Sequence, residues 1–288
     1  MKVFRPWVFQ GSKRYRNYFE GWYFKHVSAD RKHVYAIIPG VSLSENDSHS
    51  FVQLIDGLSG ETFYYRYPLD SFRASGRVLE VELDGSVFSE SGISLHLDDK
   101  QGLVRGEMEY GRLGKYPGTL TCPGIMGWYS FVPLMECKHG IVSTGHNIEG
   151  SIEVRGKTID FSKGRGYIEK DWGTSFPESW IWLHCNTFMK TDASFTFSVA
   201  KIPWIGSFFI GFISYLRFDD HFYNFSTWSK AGIERLEYRD NILNLVLVNK
   251  KYKLYVEALN NRPGDLKAPH MGSMTRIIKE TVDADVKL

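Results

Sequence analysis

The sequence predicts an all-β chain folded as two antiparallel β-barrels or sandwiches packed side by side. Three observations carry this expectation. Apolar residues come in short β-branched and aromatic runs, the runs are separated by Gly-, Asn- and Asp-rich turns, and no helical repeat period appears. Aromatic content of 15% and 27 glycines are both high for a chain whose hydrophobic (43%) and charged (24%) fractions are ordinary for a globular protein. At 288 residues the chain is long enough for one large domain or two smaller ones.

In chain order, residues 1 to 18 are basic and aromatic, contain Pro6 and Gly11, and read as an irregular lead-in. Phe19 to Val27 (FEGWYFKHV) roughly alternates polar and apolar residues and resembles a first barrel strand. Val34 to Ile38, Phe51 to Ile55, Thr62 to Tyr67, Phe72 to Ala74, Val78 to Leu83, Ile93 to Leu97 and Leu103 to Tyr110 continue a meander across turns such as SLSENDSHS and DGLSGE. Gly111 to Gly127, with five glycines and two prolines, has neither period; so long a loop implies a lid, a site or an inter-domain connection. The seam is expected between Gly111 and Gly150, giving domains at 1–146 and 147–288.

Beyond it, Ile148 to Val154 and Lys157 to Phe161 flank Arg155-Gly156, a tight-turn signal. Phe195 to Ile202, Ser207 to Phe218 and Phe222 to Trp228 read as long strands, and Ile233 to Tyr238, Ile242 to Val248 and Lys251 to Ala258 as a second meander. Thr275 to Asp283 is the one stretch expected to be a short helix. Ile202 to Leu216 (IPWIGSFFIGFISYL) is apolar but shorter than the roughly 20 residues needed to span a bilayer, and Pro203 and Gly206 interrupt it. It reads as a hairpin with one buried face, or as a loop making peripheral membrane contact.

Charge narrows the function. A net charge of +2 spread along the chain leaves no basic stripe for nucleic acid. Three cysteines, Cys122, Cys137 and Cys185, form no C-x-x-C pair, so neither zinc nor a disulfide framework is expected. The odd count and the absence of an apolar leader near Met1 point to a reducing compartment, the cytoplasm, with membrane association left to the apolar hairpin.

The chain concentrates its chemistry in Gly164 to Asn186, GRGYIEKDWGTSFPESWIWLHCN. There Glu169, Lys170, Asp171, His184 and Asn186 lie among Trp172, Trp180 and Trp182, too many polar groups beside large rings for a plain core strand. A pocket is expected, with Trp22, Tyr23 and Trp128 also on its wall. The Gly-Trp-Tyr triplet at 21–23 recurs at 127–129. KGRG lacks the lysine-serine and helix of a phosphate loop, and no G-x-S-x-G supports Ser–His–Asp hydrolysis.

FEGWYFK, MGWYSFVPLMECKHGIVS and GRGYIEKDWGTSFPESWIWLHCNTF resemble the tocopherol cyclase family, itself similar to the lipocalin-like carotenoid hydratases. The resemblance covers most of the chain in order. It implies two lipocalin-like barrels around an apolar cavity, no cofactor, no metal, and protonation of an isoprenoid double bond followed by ring closure of a prenylated quinol, or by hydration. The motif Glu136-Cys137-x-His139 places His139 in the site with Glu136 and, beside Trp128, Tyr129. Lys138 departs from the aromatic residue expected there, a plant cyclase is expected to be longer, and no transit peptide is expected at Met1.

Alkene protonation needs an acid, a dry pocket and aromatic faces that stabilise a carbocation without attacking it. Asp171 is the first candidate acid, since apolar surroundings raise a carboxyl's pKa. Glu169, two residues away, would share its face. His139, His146 or His184 would position or deprotonate the attacking hydroxyl, and Trp182 and Asn186 would share the face of His184. Two other readings keep the same pocket or none: a carrier of an apolar small molecule, with the polar residues only orienting it, and a β-sandwich interaction module.

Overall fold

The computed structural model describes residues 1–288 except Leu134, Lys190 and Ile205. Ile205, in the apolar stretch 202–216, thus lies outside the described residues. The described chain is antiparallel β-structure with four short 3-10 segments, the class the sequence predicts.

Twelve strands form the first sheet: β1 (Tyr18–Val27), β2 (Val34–Leu43), β3 (His49–Asp56), β4 (Thr62–Tyr67), β5 (Phe72–Ala74), β6 (Glu80–Leu83), β7 (Ser86–Ser89), β8 (Gly92–Leu97), β9 (Val104–Tyr110), β10 (Cys137–Val154), β11 (Lys157–Asp160) and β12 (Gly164–Gly173). Their order is β4-β3-β2-β1-β12-β10-β9-β8-β7-β6-β5, with β11 paired to β10. Alternating burial in β4, β6 and β8 marks strands with one covered face, whereas β1 to β3 are buried on both. The sheet curls on itself. Tyr65 Oη in β4 donates to Gly102 O in the β8–β9 turn at 2.9 Å, and Gln101 bonds both backbone groups of Tyr64. The enclosed core runs from Trp22 and Phe24 through Phe72, Phe88 and Phe161 to Ile168.

The second half begins with β13 (Trp180–Cys185), β14 (Ala193–Trp204), β15 (Ser207–Phe218) and β16 (His221–Asn224), one sheet in that order. It packs through Phe195, Phe197 and Phe212 onto Leu243, Leu245 and Val256 of a second sheet made of β17 (Gly232–Arg239), β18 (Ile242–Val248), β19 (Lys253–Leu259) and β22 (Asp285–Lys287). The remaining hairpin, β20 (Gly264–His270) and β21 (Ser273–Glu280), lies against the first sheet. Gln53 exchanges hydrogen bonds with the Lys267 backbone at 2.8 and 2.9 Å, and Ser42 Oγ donates to Gly272 O. Tight turns fall where the sequence places them, with both central φ positive at Arg155-Gly156 and Asp240-Asn241.

Four expectations are corrected. The division at 146/147 falls inside β10, whose pairing with β9 and β12 carries the first sheet on to Gly173. The loop 111–127 is no inter-domain seam. It returns along β10, with Thr144 N donating to Gly114 O and Gly114 N donating to Gly145 O. Thr275 to Asp283 supplies most of β21, because Leu266, Ile277 and Ile278 pair across a hairpin, and Phe222 to Trp228 is a short strand ending in a 3-10 turn. Ile202 to Leu216 does form the β14–β15 hairpin. Among the described residues no helix is long and apolar enough to cross a membrane.

Candidate active site

Side chains two apart on a strand share a face, and the ladder β1-β12-β10 turns that rule into a site. Gly21 stands opposite Asp171, which stands opposite His139; one step along, Tyr23, Glu169 and Ile141 form the next row. All of these except Ile141 line a cavity of about 680 Å³ between the outer face of the first sheet and the second half. Its far wall is the β14–β15 hairpin, whose Ser198, Ala200 and Ile202 face inward with Phe209, Gly211 and Ile213. Trp180 and Trp182 come from β13, and Phe19 and Phe176 meet edge-on beside them at 5.3 Å.

Three ionisable groups converge there. His139 Nδ1 lies 2.8 Å from Asp171 Oδ1, and its Nε2, buried and without a hydrogen-bond partner among the described residues, lies 3.5 Å from Glu169 Oε2. Burial works against the imidazolium, but the charges of Glu169 and Asp171 and the Asp171 hydrogen bond outweigh it and raise the His139 pKa to about 9. Glu169 Oε2 accepts from Tyr167 Oη at 2.6 Å and Trp182 Nε1 at 3.2 Å. Burial and, further down, the Asp171 charge raise Glu169 to about 7 against the opposing pull of His139. Glu169 is thus a carboxyl that holds a proton near neutrality. Its side chain is 5% exposed, that of Asp171 25%.

Donor atoms of His139, Glu169 and Asp171 all lie within 4.8 Å of one another, close enough to consider a metal. The imidazole, however, turns one nitrogen to each carboxylate. No single ring nitrogen faces both, and the arrangement is that of an imidazole held between two carboxyl groups.

Of the residues singled out from the sequence, the cavity brings together Asp171, Glu169, His139, Tyr23, Tyr129, Glu136, Trp180 and Trp182. It excludes five. Trp22 and Trp172 point to the opposite face of the sheet, being one residue out of step with Tyr23 and Asp171. They do flank a cation, the Lys170 ammonium, 4.6 and 5.0 Å from their ring centroids. Lys170 ion-pairs with Glu20 and donates to the carbonyls of Pro6 and Val8, while Glu20 accepts from Gln10 N, Gly11 N and Tyr18 Oη. That buried pair fastens the N-terminal lead-in over the first barrel.

Trp128 is 48% exposed and stacks outward on Tyr129. His184 is sandwiched against Tyr167, ring centroids 3.5 Å apart, and burial keeps its pKa well below the ordinary value. Asn186 Nδ2 donates to Gly166 O at 2.9 Å, a structural bond. His146 also faces the first core. It packs against Tyr110 in the space left by Gly166, where an added Cβ would sit 2.1 Å from His146 Nε2. Burial lowers its pKa to about 3. Sequence reasoning missed Tyr167, which orients Glu169 from two residues away, and Glu280, which reaches Tyr23 from the other end of the chain.

Residues 110–288, more than half of the chain, match the family described as tocopherol cyclase-like. The chain is 27% identical over 168 residues to the probable chloroplastic tocopherol cyclase of Oryza sativa subsp. japonica, covering 56% of this chain and 36% of that protein. It is 26% identical over 107 residues to the chloroplastic tocopherol cyclase of Zea mays, covering 36% and 23%. The match thus spans about a third or less of those relatives. Among solved structures, CghA is similar with a TM-score of 0.57 at 9% identity, over 87% of this chain and 78% of that one. At that identity the likeness is one of fold.

Proposed function

Because the chain belongs to the tocopherol cyclase-like family, we propose that it is a cofactor-independent enzyme that protonates a double bond of an apolar isoprenoid or prenylated quinol, with ring closure or hydration following. The observation that carries this reading is the Glu169 carboxyl, held near neutral pKa and opening on an apolar cavity beside a charged His139–Asp171 pair.

In this reading Glu169 is the acid. Of the two carboxyls it is the more deeply buried, and Tyr167 and Trp182 fix its Oε2, leaving Oε1 as the oxygen that presents the proton. Asp171 holds the imidazolium of His139 in place, and that positive charge sharpens Glu169 as a donor by favouring the carboxylate it leaves behind. The faces of Tyr23, Trp180 and Trp182 attract the developing carbocation, each contributing about 0.5–2 kcal/mol. A cavity of about 680 Å³ suits a drug-sized ligand.

The test is incubation with a hydroquinone carrying a 3-methylbut-2-enyl chain, followed by mass and chromatographic identification of a chromanol. Turnover by the native protein and its loss in Glu169→Gln is the expected result. Recovery of unchanged ligand from both proteins would replace the enzyme with a carrier.

A further inference from the structure

A cation formed in the cavity must be captured by an oxygen nucleophile, and that oxygen must lose its own proton. A second carboxyl opens on the same cavity. Glu280, at the end of β21, crosses from the second half to β1, where Tyr23 Oη donates to its Oε1 at 2.5 Å. Among the described residues its Oε2 has no donor.

Tyr23 stands opposite Glu169 in the β1–β12 ladder, and its ring meets Trp182 edge-on at 5.3 Å; the same indole donates to Glu169. The Tyr23–Trp182 pair therefore stands between two carboxyls that share one chamber. The groups facing Glu280 from neighbouring elements are Tyr23, Lys25 and Asp171, and burial, outweighing Tyr23 and Lys25, keeps its proton affinity above that of an ordinary glutamate.

Resting on the acid-catalysed reading, we propose that Glu280, oriented by Tyr23, binds the hydroxyl of the nucleophile and accepts its proton. The step balances. The alkene π pair takes the proton of Glu169 to form a C–H bond, and an oxygen lone pair forms the C–O bond. The O–H bond breaks with its proton passing to the Glu280 carboxylate. Exchange with water between turnovers returns one proton to Glu169 and removes one from Glu280. The substrate class this selects is an alkene with a free hydroxyl within reach of the cation, a phenol or quinol being the intramolecular case.

The experiment separates capture from protonation by running the 3-methylbut-2-enyl hydroquinone reaction in D2O. Two signals are followed: deuterium on the former alkene, and chromanol. The native protein is expected to give chromanol bearing deuterium. Glu280→Gln is expected to keep deuterium entry into recovered or isomerised alkene within about 3-fold while chromanol falls about 10²-fold, the size of a lost acid–base group. Tyr23→Phe should show the same split at about 10-fold and serves as the readout if Glu280→Gln folds poorly. Unchanged chromanol in Glu280→Gln, or parallel loss of both signals in folded Glu280→Gln and Tyr23→Phe, would overturn the assignment. Absence of deuterium entry in the native protein would sink the acid reading instead.

Discussion

Glu169→Gln is expected to inactivate the protein and, at pH 8, to stabilise it. The magnitude follows from the raised pKa. In the unfolded chain a glutamate titrates at its ordinary value of 4.5, whereas in the folded protein burial holds Glu169 at about 7. Folding therefore favours the protonated form. Its stabilising contribution is complete below pH 4.5 and is lost as pH rises through 7. Above that point the folded state bears the full difference of about 2.5 pK units, about 3 kcal/mol at about 1.4 kcal/mol per unit. A glutamine resembles the protonated carboxyl, and its amide oxygen still accepts from Tyr167 and Trp182. Denaturant unfolding of both proteins at pH 4.5 and pH 8 should show a gain of up to about 3 kcal/mol for the variant at pH 8, shrinking toward zero at pH 4.5. Turnover should fall about 10²–10⁴-fold. A variant less stable at pH 8, or one whose advantage is the same at both pH values, would refute the buried-acid account.

The native pH profile should fall about tenfold per unit above pH 7 as Glu169 loses its proton, and a flat profile to pH 8.5 would contradict its role. Asp171→Asn removes the negative charge that raises the His139 pKa and leaves only a neutral amide oxygen to accept from its ring. It should cut kcat about 10–10³-fold in a folded protein, with histidine NMR titration showing a lower His139 pKa; an unmoved titration would remove Asp171 from the trio. Lys170→Met leaves Glu20 as an uncompensated buried carboxylate and should destabilise the protein by about 3–5 kcal/mol in urea unfolding, whereas a loss below about 1 kcal/mol would mean the pair does not hold the lead-in.

Period-two reasoning made part of the site legible in advance. Glu169 and Asp171 share a face because they are two apart, and their partners in the ladder confirm it. The same rule, applied evenly, separates Tyr23 from Trp22 and Asp171 from Trp172. Aromatic density drew those neighbours into one pocket, yet Trp22 and Trp172 belong to a core on the other side of the sheet. The choice between the carboxyls depended on burial, which the cavity wall decides. Glu280 lies 257 residues from Tyr23, so no local pattern links them. The boundary after Gly173 was hidden for a similar reason: β12 inserts between β1 and β10, a long-range pairing that leaves no mark in the strand itself.

One surface of the β1-β12-β10 ladder is thus buried in a filled hydrophobic core, while the other carries the reacting groups beneath walls drawn largely from a separate part of the chain. For evolution and for protein engineering this divides the labour between regions. Substitutions in the β14–β15 hairpin, or in the β20–β21 arm short of Glu280, can reshape the chamber for a different guest without disturbing the packing that holds Glu169, Asp171 and His139. Directed libraries aimed at new substrates belong in those walls, and the ladder should be left intact.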